Sequence, residues 1–257
     1  IHSGDWSSDV CSSDLLVQPP GPGIWIPGWG NIAPHLPPAG HRPIRGIDHA
    51  VLNVAAGQLQ GAITWYRQQF GFCPRQQFTI DTPNSGLRSQ VLSHPQGDAQ
   101  LPINEPATAN SQVQEFLTWN RGPGIQHVAL QTLDILDTVK TLKTRGVQFL
   151  NVPPSYYQAL NTRPGYSLAK TALEAIARLE ILVDWEPSRP QACLLQTFTQ
   201  PLLDIPTLFF EIIQRQTRGT GGHVLRAEGF GERNFRALFE AIEREQTKRG
   251  SLNSPSD

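Results

Sequence analysis

Methionine is absent from all 257 residues, position 1 included, so the chain is expected to begin inside a longer reading frame. Cysteine is nearly absent as well. Cys11, Cys73 and Cys193 are odd in number and far apart, which excludes a disulfide framework and suits free thiols in a reducing, cytoplasmic setting. No apolar run approaches the ~18 residues a membrane span needs, and Ile1 to Leu15 lacks the apolar stretch of a signal peptide. Charge of one sign is missing too: 21 Lys and Arg stand against 22 Asp and Glu, a net charge of -1. That argues against nucleic acid or an anionic membrane surface as partner.

What the sequence does have is uneven. Ile1 to Leu15 shows no apolar period and resembles the translation of a sequencing-library adapter, so it is expected to be a non-native stretch without function. Residues 16–45 carry eight prolines between Pro19 and Pro43. Missing donors and glycine entropy make this an extended linker, with Trp25, Trp29, His35 and His41 inside it.

From Gly46 the pattern becomes regular. A strand over Ile47–Val54 leads to a helix from about Gln58 to Phe70, which Gly71 ends. Strands follow at Cys73–Ile80 and Leu87–Ser93 around a turn at Asp81–Gly86, then a short strand or loop at Leu101–Pro106. Gly46-Ile-Asp-His49 then recurs as Gly124-Ile-Gln-His127, 78 residues later. A helix over Ile135–Arg145 closes at Gly146, Pro153 to Tyr157 reads as a turn, and a helix covers roughly Ser167–Ala177. Strands are expected at Glu180–Asp184, Ala192–Thr199 and Leu208–Gln214. The pattern predicts an α+β fold of two βαβββ units, about 46–106 and 122–214. Phe235, Leu238, Phe239 and Ile242 give the Asn234–Lys248 segment one apolar face, hence a docked terminal helix.

The chemistry centres on Glu211, a carboxylate set between Phe209-Phe210 and Ile212-Ile213. Burying it ionised is costly unless a cation meets it, and the run itself holds no Arg or Lys. A lone histidine on an apolar strand is usually a satisfied core residue. His49 and His127, however, hold equivalent places in two repeats, where they can face one cavity. Two imidazoles and one carboxylate with open positions suit non-haem Fe(II), and zinc is the rival for the same groups. His94 and His223 lie in turn-like settings and read as surface residues.

Several motifs carry a specific resemblance: Leu87-Arg-Ser89, Pro102-Ile-Asn-Glu-Pro106, Ser111-Gln-Val-Gln-Glu115, Val152-Pro-Pro-Ser-Tyr-Tyr157, Leu194-Leu-Gln-Thr-Phe-Thr199, Pro206-Thr-Leu-Phe-Phe-Glu211 and Gly229-Phe-Gly-Glu-Arg-Asn-Phe235. In order and spacing, the stretch from Gly46 to Leu252 resembles the C-terminal catalytic domain of the 4-hydroxyphenylpyruvate dioxygenase family, within the vicinal oxygen chelate superfamily. The resemblance implies a half-open barrel closed by a C-terminal lid helix. It implies Fe(II) held by His49, His127 and Glu211, a substrate pocket lined by Ser89, Asn104, Gln112 and Gln126, and Gln196 facing the metal. Phe198, Phe209, Phe230 and Phe235 match aromatic walls, with Asn234 opening the lid helix. The implied reaction takes a 2-oxo acid, 4-hydroxyphenylpyruvate, and O2 to homogentisate and CO2 in tyrosine catabolism, by an enzyme that is a homo-oligomer at full length.

The family's N-terminal domain is missing here, replaced by the linker and the adapter-like stretch. Three other functions compete. A 4-hydroxymandelate synthase uses the same substrate and iron but oxidises the benzylic carbon; Asn104 and Phe198 match the dioxygenase type instead. Another metalloenzyme of the superfamily, such as an extradiol dioxygenase or a metal-dependent isomerase, would lack the 2-oxo-acid pocket and the lid. A metal-free binding module would have no use for the intact His49, His127 and Glu211 set.

Overall fold

The computed structural model describes residues 43–81, 86–220, 223–231 and 233–234. The adapter-like stretch, nearly all of the linker, the tip of the first expected turn, and the terminal helix with Phe235 lie outside the described residues.

Two modules of the same plan follow one another. The first runs β1 (Gly46–Asn53), α1 (Leu59–Phe70), β2 (Cys73–Asp81), β3 (Gly86–Ser93) and β4 (Gln100–Pro106). A short helix, α2 (Gln112–Asn120), bridges to the second. That module runs β5 (Gly124–Gln131), α3 (Ile135–Thr144), α4 (Pro154–Leu160), α5 (Lys170–Arg178), β6 (Leu182–Trp185), β7 (Cys193–Phe198) and β8 (Phe209–Arg215). A hairpin of β9 (Thr217–Thr220) and β10 (His223–Arg226) ends the described strands.

The eight main strands form one sheet in the order β2-β3-β4-β1-β5-β8-β7-β6. Each module is the same four-strand array, and the two join back to back through their first strands. β1 pairs antiparallel with β5, while β1–β4 and β5–β8 are parallel. The sheet curls into a half-barrel with the helices packed around it, the α+β architecture expected from the repeat.

Local chemistry accounts for the elements. Gly71 ends α1 in the left-handed conformation (φ 69°), where a residue without Cβ meets no penalty. At the start of α1, Gln58 offers no side-chain cap. The buried Glu105 of β4 substitutes, its Oε2 accepting from the N–H groups of Gly57 (2.9 Å) and Leu59 (3.2 Å). Ser111 and Asp134 cap α2 and α3 by accepting from the N–H groups of Gln114 and Asp137.

Two expectations are corrected, at Pro154 and His223, and two elements gain definition. The segment from Pro154 is a helix and not a turn: proline is tolerated in a first helical turn, and Tyr156, Tyr157 and Leu160 bury one face. Leu101–Pro106, expected as a short strand or loop, is the strand of the two, paired on both sides. Helix α2 was not expected, although Val113, Phe116 and Leu117 show its buried face. His223 sits in a strand of the β9–β10 hairpin, where a turn was expected.

The second module's core gathers Ile135, Val139, Leu160, Ile181 and Ile212, all essentially inaccessible. Tyr156 connects that core to the end of the described chain. Its hydroxyl accepts from the Val183 N–H (2.8 Å) and donates to Asn234 Oδ1 (2.7 Å). Tyr156→Phe is therefore expected to cost about 1–3 kcal/mol by leaving buried polar groups unmatched. Denaturant melts check this, and a melt superimposing on the parent would refute it. No helix among the described residues is long and apolar enough to cross a membrane.

Candidate metal centre

Strand register brings the two histidines together. In the β1–β5 ladder His49 stands opposite Ala129, and His127 opposite Val51. Side chains two apart, or directly opposite, share a face of a sheet. Both imidazoles therefore project on the concave side as diagonal neighbours, 5.8 Å apart between ring centres. On the far side of β5, Glu211 pairs with Ala129, so its carboxylate joins the same face. The equivalent place in the first module falls on β4. There Leu52 pairs with Ile103, which puts Pro102 beside Val51. The pseudo-symmetry thus offers four inward positions, and proline, which has no donor atom for a metal, holds the fourth.

The three side chains converge. Glu211 Oε2 lies 3.2 Å from His49 Nε2 and 3.4 Å from His127 Nε2, and one ligand atom from each falls within 4.8 Å of the others. All three residues are buried. The remaining ring nitrogens have partners: His49 Nδ1 meets Asp48 Oδ1 at 2.9 Å, and His127 Nδ1 meets Gln126 Oε1 at 3.2 Å. An acceptor at Nδ1 puts the proton there and turns the Nε2 lone pair toward the centre, as in metal-ligating histidines. Glu211 Oε1 is buried with no partner of its own. A divalent cation fits these groups, because it would satisfy that orphaned oxygen and both Nε2 atoms at once.

Electrostatics without metal agree. Burial pushes the Glu211 carboxyl up, but His49 and His127 outweigh it and hold the pKa at about 2. Burial pulls His49 down, yet the Glu211 charge and the Asp48 hydrogen bond raise it overall. His127 goes the other way, chiefly through burial, with His49 adding to the effect. The sign for stability follows. Glu211, being depressed, stabilises the fold above its ordinary 4.5, and that support is lost as pH falls toward about 2. His49, being raised, contributes below its ordinary 6.5 and ceases to as pH rises through its higher folded value.

The cluster opens on a cavity of about 630 Å³ measured out to its mouth. Phe198, Phe209 and Phe230 form its aromatic walls. Phe209 stacks on His127 at 4.9 Å, and Phe230 meets His49 edge-on at 5.0 Å. Asn104, Gln112 and Gln126 are its uncharged polar groups. An adjoining cavity of about 490 Å³ shares Gln112, Gln126 and Phe209.

Three of the expected residues sit off this lining. Ser89 is fully buried directly across from Asn104 in the β3–β4 ladder, its Oγ without a partner. Asn234 is buried against Tyr156. Gln196 lies two residues before Phe198, on the same face, with both amide atoms buried and unpartnered. Above it runs Gly231, φ 76°, where a Cβ would clash with the amide, 2.7 Å from Oε1. Gly231→Ala is thus expected to lose about 1–2 kcal/mol from the left-handed backbone alone, and more from displacing Gln196. Melts with wild-type midpoints would contradict the close approach.

Sequence reasoning missed the Asp48 and Arg215 pair behind His49 and the cavity-lining Val51, Phe78, Ile80 and Val113. Periodicity had marked Val51, Phe78 and Ile80 as strand residues, but nothing local showed which face each takes.

Comparison with known proteins agrees with this geometry. Residues 46–162 match the model of the Glyoxalase/Bleomycin resistance protein/Dioxygenase superfamily. The 4-hydroxyphenylpyruvate dioxygenase of Yarrowia lipolytica is 40% identical over 90% of this chain and 58% of its own length. Uncharacterized protein slr0090 of Synechocystis is 44% identical over 77% of the chain and 56% of that protein. Among solved structures, a triple mutant of 4-hydroxymandelate synthase from Streptomyces coelicolor superposes with a TM-score of 0.69 at 30% identity, covering 82% of this chain and 57% of that one. The chain therefore spans little more than half the length of the curated relatives it matches.

Proposed function

We propose that the chain is the metal-binding catalytic half of an Fe(II)-dependent 4-hydroxyphenylpyruvate dioxygenase, forming homogentisate and CO2 from its 2-oxo acid substrate and O2. The observation that carries this reading is the buried His49, His127 and Glu211 cluster at the head of an aromatic cavity with three amide side chains. Likeness to 4-hydroxyphenylpyruvate dioxygenases along most of the chain supports it.

In this reading His49 Nε2, His127 Nε2 and a Glu211 oxygen hold the iron on one side and leave the cavity side open. When bound, the iron would supply the binding and activation of O2 and a chelation point for the substrate's 2-oxo acid group. The chain's residues do the rest. Asp48 and Gln126 fix the two imidazoles through their Nδ1 atoms. Phe198, Phe209 and Phe230 exclude water and flank the substrate ring, protecting a reactive centre. In the same cavity Asn104 and Gln112 would hydrogen-bond a ring hydroxyl, with Ser89 paired across from Asn104. Gln196, with a free amide, would face the centre once Gly231 moves. Asn234, and Phe235 outside the described residues, would belong to the closing segment in this reading. A cytoplasmic homo-oligomer at full length completes the reading, in keeping with the free thiols Cys73 and Cys193.

The test is product analysis. The Fe(II)-loaded chain, alone and joined to the N-terminal half of a longer relative, is given 4-hydroxyphenylpyruvate and O2. Chromatography should show homogentisate. 4-Hydroxymandelate would favour the synthase reading that the Streptomyces coelicolor structure raises. Iron binding without either product would refute both.

A further inference from the structure

Behind His49 lies a closed ring of contacts in which the catalytic reading leaves one member, Arg215, without a role. The Asp48 carboxylate is buried, and its Oδ1 accepts from His49 Nδ1 (2.9 Å) and Arg215 Nη2 (2.7 Å). Its Oδ2 accepts from Arg215 Nε (2.8 Å), completing a two-pronged pair. The β1–β5 ladder is irregular between Ile47 and His49, and it is here that Asp48 turns to meet its neighbour's ring. Arg215, its side chain only 4% exposed, has one more arm. Nη1 donates to the Gly229 carbonyl (2.7 Å), with the Ala227 carbonyl at 3.4 Å. The guanidinium also sits 5.7 Å from the Phe230 ring, which itself packs on His49.

We propose that Arg215 is a positioning residue that locks the His49 ligand and the Phe230 cavity wall into one rigid unit. The inference rests on the metal-centre reading above. Its physical basis is the economy of the fork. A buried ion pair adds little net stability over an apolar pair, so stability alone does not account for it. What the pair supplies is geometry. Arg215 keeps Asp48 ionised in a buried place, Asp48 keeps the proton on His49 Nδ1, and Nε2 stays aimed at the centre. The same guanidinium holds the 227–231 segment by its carbonyls. Lysine could bring the charge but not both prongs and the third contact. Arg226, 3.8 Å from Asp48 and nearly half exposed, is the looser neighbour and the natural control.

The experiment uses the full chain and Co(II) as the probe. Dissociation constants come from equilibrium titration, and hydrogen exchange is followed in peptides covering 227–231. For Arg215→Lys the Co(II) dissociation constant should rise roughly 10–100-fold, the usual effect of disturbing a ligand's outer partner. Exchange in 227–231, slowed by Co(II) in the parent, should become fast and indifferent to the metal. Arg226→Ala should match the parent in both. If Arg215→Lys does not fold, Asp48→Asn carries the same two expectations. A purely structural Arg215 would lower the melting temperature while leaving both readouts of the folded protein unchanged, and that result overturns the proposal. His127→Ala separates the failures. If it binds Co(II) like the parent, the metal centre itself is wrong. If it loses Co(II) while Arg215→Lys keeps parental affinity, the inference about Arg215 alone is wrong.

Discussion

Glu211→Gln is expected to leave the sheet intact and abolish iron-dependent turnover. The amide has the shape of the carboxylate, so the β8 ladder on either side, Phe198 opposite and Ala129 beside it, need not move. What disappears is the charge that two buried imidazoles face. His49 is raised mainly because Glu211 and Asp48 together overcome its burial. With Glu211 neutral, burial gains and His49 sheds its proton more readily. Two imidazoles and an amide then remain without the one anionic ligand, a poorer set for a hard divalent ion. The loss of iron affinity should exceed the ~10–100-fold typical of altering an outer partner. Metal titration and oxygen uptake measure it, with far-UV circular dichroism as the check on folding. A variant that holds iron as tightly as the parent would remove Glu211 from the ligand set.

The second large effect is at Phe209. Its ring is buried, stacks on His127 and stands between the two adjoining cavities. Phe209→Ala is expected to cost about 3–5 kcal/mol, the range for emptying a large aromatic site. It should also merge the two spaces and admit water to the centre. Function should then suffer beyond what stability explains: oxygen consumed per product formed should rise as the reaction escapes its enclosure. Denaturant melts and the oxygen-to-product ratio give the two readings. Unchanged coupling in a variant of parental stability would show that Phe209 is not part of the wall.

Much of this was legible in the sequence, and the reasons are local. The repeated Gly-Ile-x-His motif marks two equivalent strands because each module reuses one plan. A glutamate inside an apolar run draws notice because burying its charge demands a cation. Helix ends such as Gly71 and caps such as Asp134 follow from backbone chemistry within a few residues. The candidate ligands were readable for the same reason, since few side chains can hold a metal. The closing helix and Phe235 lie outside the described residues, so their place in the cavity stays with the proposal.

By itself, then, the sequence determined the two-module α+β plan and singled out His49, His127 and Glu211, since those depend on residue type and short-range period. Tertiary structure decided which way each side chain points. Successive residues in a strand face opposite sides, so a slip of one residue would turn His49 away from His127; only the pairing of His49 with Ala129 and of Ala129 with Glu211 settles it. Structure also decided that α2 brings Gln112 and Val113 to the cavity, and that Ser89 and Gln196 stand behind its lining. And it joined Asp48 to Arg215 across 167 positions. No local pattern encodes a contact at that range, because it exists only once the two modules have paired along β1 and β5.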